Sequence, residues 1–239
     1  VRSSASASLA LLCAAAGLAA FAVAPPVAAA PPLTAAPSLG TRTQVDDPCA
    51  SPAAKRLRCP NLRIAPPSDI YVQDAGGGRV LLRATSDVRS RGRGPIELHG
   101  RRDGWRRMRV NQRIYRRGGG HIDVRTRARL RFTDVGSYWG GSYWKVHQLA
   151  RFELRRVRPG GPLGPVIRTG PKLNYCLRDL ERTRPGRRSP GHRRYPGCNQ
   201  NPYRSRVTLG TSVGWSDIYP AEYDKQWIDV AGLRGCFVF

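Results

Sequence analysis

Glycine and proline interrupt this chain too often for long helices to form. They number 26 and 20 among 239 residues, and each interior proline removes a backbone donor while each interior glycine costs a helix conformational entropy. Between the interruptions lie short runs rich in β-branched and aromatic side chains. From Asp69 onward they read I-Y-V-Q, R-V-L-L-R-A-T, P-I-E-L-H, M-R-V-N-Q-R-I-Y, L-R-F-T-D-V, W-K-V-H-Q-L-A-R-F-E-L, S-R-V-T-L-G, W-I-D-V and C-F-V-F. Strand-sized pieces at regular spacing, with turn residues between them, predict an all-β fold, an antiparallel β-sandwich with long loops. One segment, K-L-N-Y-C-L-R-D-L at 172–180, reads instead as a helical turn opened by R-T-G-P.

Three regions follow along the chain. Residues 1–30 carry Arg2, then the apolar run L-A-L-L-C-A-A-A-G-L-A-A-F-A-V-A, then P-P-V-A-A-A-P-P, the pattern of a secretory signal cut near Ala24 or Ala30. As a membrane anchor the run is short and is broken by Pro25 and Pro26. Residues 31–68 are Pro/Ala-rich and poor in large apolar side chains, an extended lead segment. The folded domain is expected over 69–239, with no membrane span after the signal is removed. The expected location is secreted, outside the cell or in its envelope.

Export exposes cysteines to oxidising conditions. Cys13 leaves with the signal, and Cys49, Cys59, Cys176, Cys198 and Cys236 remain. Cys49 with Cys59 and Cys176 with Cys198 each bracket a segment with almost nothing apolar to hold it, so each pair is expected to close a disulfide. Cys236 is left over. No Cys-x-x-Cys pair is present to suggest zinc.

The charge is extreme: 41 Lys plus Arg against 16 Asp plus Glu, a formal net charge of +25. Such a field draws a protein to polyanions, which for an exported chain are anionic envelope polymers. The basic residues lie in scattered runs (R-S-R-G-R-G, R-R-D-G-W-R-R, R-P-G-R-R-S-P-G-H-R-R) that form no helical stripe and no nucleic-acid recognition signature. Specific nucleic-acid binding is not expected. GC-rich coding is an equal explanation for part of the arginine excess.

Two segments near the end resemble the quinone-bearing region of the lysyl oxidase family: T-G-P-K-L-N-Y-C-L-R-D-L at 169–180 and V-G-W-S-D-I-Y-P-A-E-Y-D-K-Q-W-I-D-V at 213–230. C-P-N-L at 59–62, V-L-L-R-A-T-S-D-V-R-S-R-G-R-G-P-I-E-L at 80–98, Q-R-I-Y at 112–115 and A-R-F-E-L at 150–154 resemble further pieces in the family's order. The resemblance spans about residues 59–239. It implies a secreted amine oxidase that converts primary amines, protein lysines included, to aldehydes with release of hydrogen peroxide and ammonia, using copper and a lysyl tyrosylquinone. By motif position Tyr219 supplies the quinone ring and Lys172 its amine, with Asp217 placed to remove a proton. Spacing to Q-W-I-D selects Tyr219 over Tyr223.

The copper segment departs from the family. Histidines alternating along a strand share one face and suit Cu(II), but where the family carries H-x-H-x-H this chain reads Ser142, Tyr143, Trp144, Lys145, with His147 just beyond. A protonated lysine ligates nothing, and indole offers only a donor. His147 and His121, with Tyr143, are the remaining ligand candidates. Two functions therefore stay open: an amine oxidase, or a catalytically inactive descendant whose cationic surface binds anionic envelope polymers. The family carries a further hairpin after W-I-D-V, whereas this sequence stops inside an apolar strand at Phe239, so either a truncated chain or a fold that ends on an open strand edge is expected. Gly210-Thr211-Ser212-Val213-Gly214 matches the G-x-S-x-G nucleophile elbow, but no histidine follows it and no helix start adjoins it, which argues against a serine hydrolase.

Overall fold

The computed structural model describes residues 11–13, 47–158, 160–161 and 163–239, so most of the expected signal lies outside the described residues. The strands, in chain order, are β1 (Leu11–Cys13), β2 (Leu57–Arg58), β3 (Leu62–Ile64), β4 (Ser68–Asp74), β5 (Val80–Ser90), β6 (Ile96–Gly104), β7 (Arg107–Arg116) and β8 (His121–Asp134). They continue with β9 (Ser142–Ala150), β10 (Glu153–Val157), β11 (Leu163–Thr169), β12 (Leu173–Tyr175), β13 (Arg206–Thr211), β14 (Ser216–Tyr219), β15 (Trp227–Asp229) and β16 (Cys236–Val238). Two short 3₁₀ turns, Pro52–Arg56 and Ser137–Trp139, are the described helical elements. The fold is all-β, and the named strand pairs are antiparallel.

Three hydrogen-bonded sheets share the core. The largest has seven strands, in the order β12-β9-β8-β7-β6-β13 with β2 added on β7. The second is built on β5, which pairs with β3 and β14 near its end and with β4 and β15 near its start. A third, β1-β16-β10-β11, pairs the last strand with β10 on one side and with β1, which lies within the expected signal, on the other. Phe239 itself packs on Phe152, ring centres 4.8 Å apart. Leu82, Val88, Leu98, Met108, Leu130, Val146, Leu154 and Leu209 come from different strands yet form one buried apolar cluster, which burial of hydrocarbon surface holds together.

The expected strands from I-Y-V-Q to C-F-V-F are present, and residues 172–180 are where the structure differs. Leu173–Tyr175 is a strand, paired to β9, and 176–180 is irregular rather than helical. Cys176 and Leu177 are buried, and Leu177 adopts a left-handed backbone at φ 56°. The span read as a lead segment also contributes: β2 and β3 pair with β7 and β5, and Leu57 is buried. The disulfides Cys49–Cys59 and Cys176–Cys198 are both formed. Cys236 is disulfide-bonded as well, and no described cysteine is free.

Candidate functional site

Two features stand out: a buried lysine among tyrosines, and an arginine-rich exterior. The first begins with strand alternation, which sends side chains two residues apart to the same side. On β14 that pairs Asp217 with Tyr219; on β9 it pairs Tyr143 with Lys145. The four meet where the seven-stranded sheet packs on the sheet of β5. Lys145 is only 2 % exposed; its amine donates to the Tyr223 hydroxyl at 3.0 Å and lies 4.6, 4.9 and 5.3 Å from the ring centres of Tyr223, Tyr219 and Tyr143. The hydroxyls of Tyr143 and Tyr223 are hydrogen-bonded to each other. Tyr219 meets Tyr175 and Tyr223 edge-on at 4.7 and 4.8 Å, and its hydroxyl accepts from the Cys176 amide at 2.8 Å.

Asp217 completes the cluster. It is fully buried; one carboxylate oxygen accepts from the Leu177 amide at 3.0 Å, and the other lies 3.7 Å from Arg178 Nε with no hydrogen bond. Burial pushes its pKa up to about 7, against the pull of Arg178 and Lys145. Burial likewise pushes Lys145 down to about 8, against Asp217 and Asp224. Tyr219 is held well above the ordinary phenol range by the same desolvation. A cleft of about 470 Å³, lined by Trp139, Tyr143, Arg178, Gln200, Tyr219 and Tyr223, opens over these rings.

Lys172, the amine chosen by motif, stands elsewhere. It is exposed and donates to Gln148 Oε1 at 3.0 Å, while Tyr219 is 5 % exposed. The lysine in contact with Tyr219 is Lys145, from the segment that replaces the histidine triplet. Its signal in the sequence was the Tyr143-x-Lys145 alternation on an apolar strand, legible as a shared face only once the opposing sheet is known.

The copper candidates are not brought together. The register Leu130↔Val146 sets His147 near Arg129, whereas His121 lies at the far end of β8, about 25 Å away at the rise of a strand. His121 is exposed and meets Tyr115 edge-on at 6.2 Å, and the buried Nδ1 of His147 has no hydrogen-bond partner among the described residues. Among the described residues no three His, Cys, Asp or Glu side chains gather to hold a metal. With a lysine ammonium in the cluster, the donor set present does not fit copper.

Ser212 of the G-x-S-x-G stretch serves a loop. Its hydroxyl and amide donate to the two oxygens of Asp179, at 2.8 and 2.6 Å, and Asp179 also accepts from the Arg194 amide at 2.9 Å. The comparison set for this chain spans protein-family models, curated proteins and solved structures. None matches.

The exterior carries the second feature. Arg206, Arg101, Arg109 and Arg129 are direct cross-strand partners on β13, β6, β7 and β8, a row of four like charges on one face. Arg107↔Arg131 lies beside it. Arg129 reaches Asp103 at 4.0 Å, while the side chains of the other three in the row have no ion pair among the described residues. At this end of the sheet Trp105 and Tyr203 are 68 % and 75 % exposed, with ring centres 5.8 Å apart.

Proposed function

We propose that the protein is an exported, basic binding protein for anionic envelope polymers. The observation that carries this is the row Arg206–Arg101–Arg109–Arg129. Strands lie about 4.8 Å apart, so the row sets guanidinium groups at that spacing across the sheet. Like charges directly opposite one another destabilise a sheet. An extended polyanion laid across the strands relieves that repulsion, and a net charge of +25 draws it in. The exposed Trp105 and Tyr203 offer amphipathic contact area beside the row.

Binding of a fluorescent anionic polymer to the purified protein, followed by anisotropy, tests this. Affinity should fall steeply once salt shortens the Debye length below about 8 Å, and the double variant Arg101→Gln/Arg109→Gln should weaken it several-fold. Salt-insensitive binding, or none, would overturn the proposal.

A second reading, the amine oxidase that the resemblance implies, is favoured by one observation: an amine, a phenol and a carboxylate do meet at Lys145, Tyr219 and Asp217. It requires a covalent link to Tyr219. Peptide mapping should then yield a cross-linked species carrying Tyr219 and either Lys145 or Lys172, with quinone staining of the intact protein. Separate, unmodified peptides exclude this reading.

A further inference from the structure

At the end of β7 away from the arginine row, two of the scattered basic runs converge on one groove. Three adjoining concavities of about 690, 290 and 560 Å³ share Arg58 and Arg188 in their walls. Arg93, Arg117, Arg187 and Arg194 line them too, and no Asp or Glu does. None of these six guanidinium groups makes a hydrogen bond or ion pair with another described residue. Elsewhere arginines are used within the chain: Arg113 on Asp123 at 2.9 Å, Arg182 on Ser189 at 3.0 Å, Arg102 on the Arg204 carbonyl at 2.6 Å.

Both walls are tied to the rest of the fold. Residues 91–93 hydrogen-bond to Asn61 and Cys59 at 2.8 Å, tying one wall to the Cys49–Cys59 disulfide. A Cβ on Gly94 would strike the Arg58 carbonyl. The opposite wall, 184–194, is closed by Cys176–Cys198 and clamped by Asp179. Gly214, at φ 79°, packs on the Arg184 carbonyl and on Ser189 with no room for a side chain. Like charges with no ion-pair partner among the described residues thus line walls that two disulfides and backbone hydrogen bonds tie to the rest of the fold.

We infer that this groove is a binding site for the tetrahedral oxyanions of an anionic polymer, phosphodiesters foremost, and that it supplies the selectivity of the polyanion binding proposed above, on which it rests. A carboxylate presents its acceptor sites in one plane, whereas a tetrahedral phosphate accepts forks from several sides at once. Guanidinium groups converging from two walls suit the second geometry. Tyr115 is the one aromatic residue among the lining residues, and its ring meets His121 edge-on at 6.2 Å, so the groove lacks the succession of aromatic faces on which bases stack.

The test is anisotropy of labelled inorganic polyphosphate on the disulfide-intact protein, with polyglutamate of matched charge as the carboxylate arm and dextran sulfate as the sulfate arm. Polyphosphate should bind at least tenfold more tightly than polyglutamate, and Arg58→Gln/Arg188→Gln should erase that preference with an unchanged Tm. Dextran sulfate competing equally would keep the assignment to tetrahedral oxyanions and overturn the preference for phosphodiesters. Equal binding of polyphosphate and polyglutamate, a sequence preference among oligonucleotides, or a preference lost only in Arg101→Gln/Arg109→Gln would overturn the inference while leaving polyanion binding intact. No binding of any polyanion would remove both.

Discussion

Lys145 donates to the Tyr223 hydroxyl across 3.0 Å from a position only 2 % exposed. Its positive charge is met by aromatic faces and, at longer range, by Asp217. Such a pair is costly to bury and more costly to break, because removing one member strands the other. Lys145→Ala should therefore destabilise by about 3 kcal/mol. The double variant Lys145→Met/Asp217→Asn, which keeps volume and removes both charges, should be at least as stable as the wild type. Denaturant midpoints of the set decide the matter, and a double variant as weak as Lys145→Ala would show that packing, not charge, dominates.

The same two groups give stability a defined pH profile. Asp217 titrates near 7 when folded, above its unfolded value, so its contribution is full at acid pH and is lost as pH rises through about 7. Lys145 titrates near 8 when folded, below its unfolded value, so its contribution is present at high pH and is lost as pH falls through about 8. Stability contributed by the pair should thus dip between about 7 and 8 and rise on either side. Asp217→Asn should remove the acid limb alone; an unchanged acid limb would assign it to other carboxylates.

The Cys176–Cys198 disulfide closes a loop over 22 residues of sequence. In the chain-entropy account a loop of that length is worth about 3 kcal/mol. Cys176→Ser/Cys198→Ser should lose about that much and, because the loop forms a wall of the arginine groove, should also weaken polyphosphate binding. Protease digestion should then cut first within 184–194. Retained affinity would show that the Asp179 clamp orders the wall by itself.

Gly214→Ala places a methyl group where the Arg184 carbonyl and Ser189 stand, on a left-handed backbone. A loss of at least about 2 kcal/mol is expected, measured by thermal unfolding. A neutral result would mean that the 184–189 turn yields easily.

Much of the strand pattern was legible because alternating apolar residues announce a buried face. The failures have physical causes. Leu173–Tyr175 follows a proline boundary that suits a helix equally well, and pairing to β9 rather than local preference decides it. β14, S-D-I-Y, buries Asp217, a polar residue where the pattern calls for an apolar one. The disulfides were legible because loops poor in apolar residues need an external tie. Motif position led to Lys172, whereas the amine at Tyr219 comes from Lys145, more than seventy residues earlier, through packing between sheets that no local pattern encodes. The arginines looked dispersed because register aligns Arg206 with Arg101, and register is a property of the folded sheet.

The groove divides labour between two kinds of atom. Its outline is drawn by main chain brought close at Gly94 and Gly214, and its charge by guanidinium groups that make no hydrogen bond or ion pair with another described residue. Exchanging one exposed arginine therefore alters what the groove prefers without disturbing how the chain folds, while a change at either glycine alters the fold first. Descendants of this scaffold can diversify their ligands along one set of positions and must inherit the other.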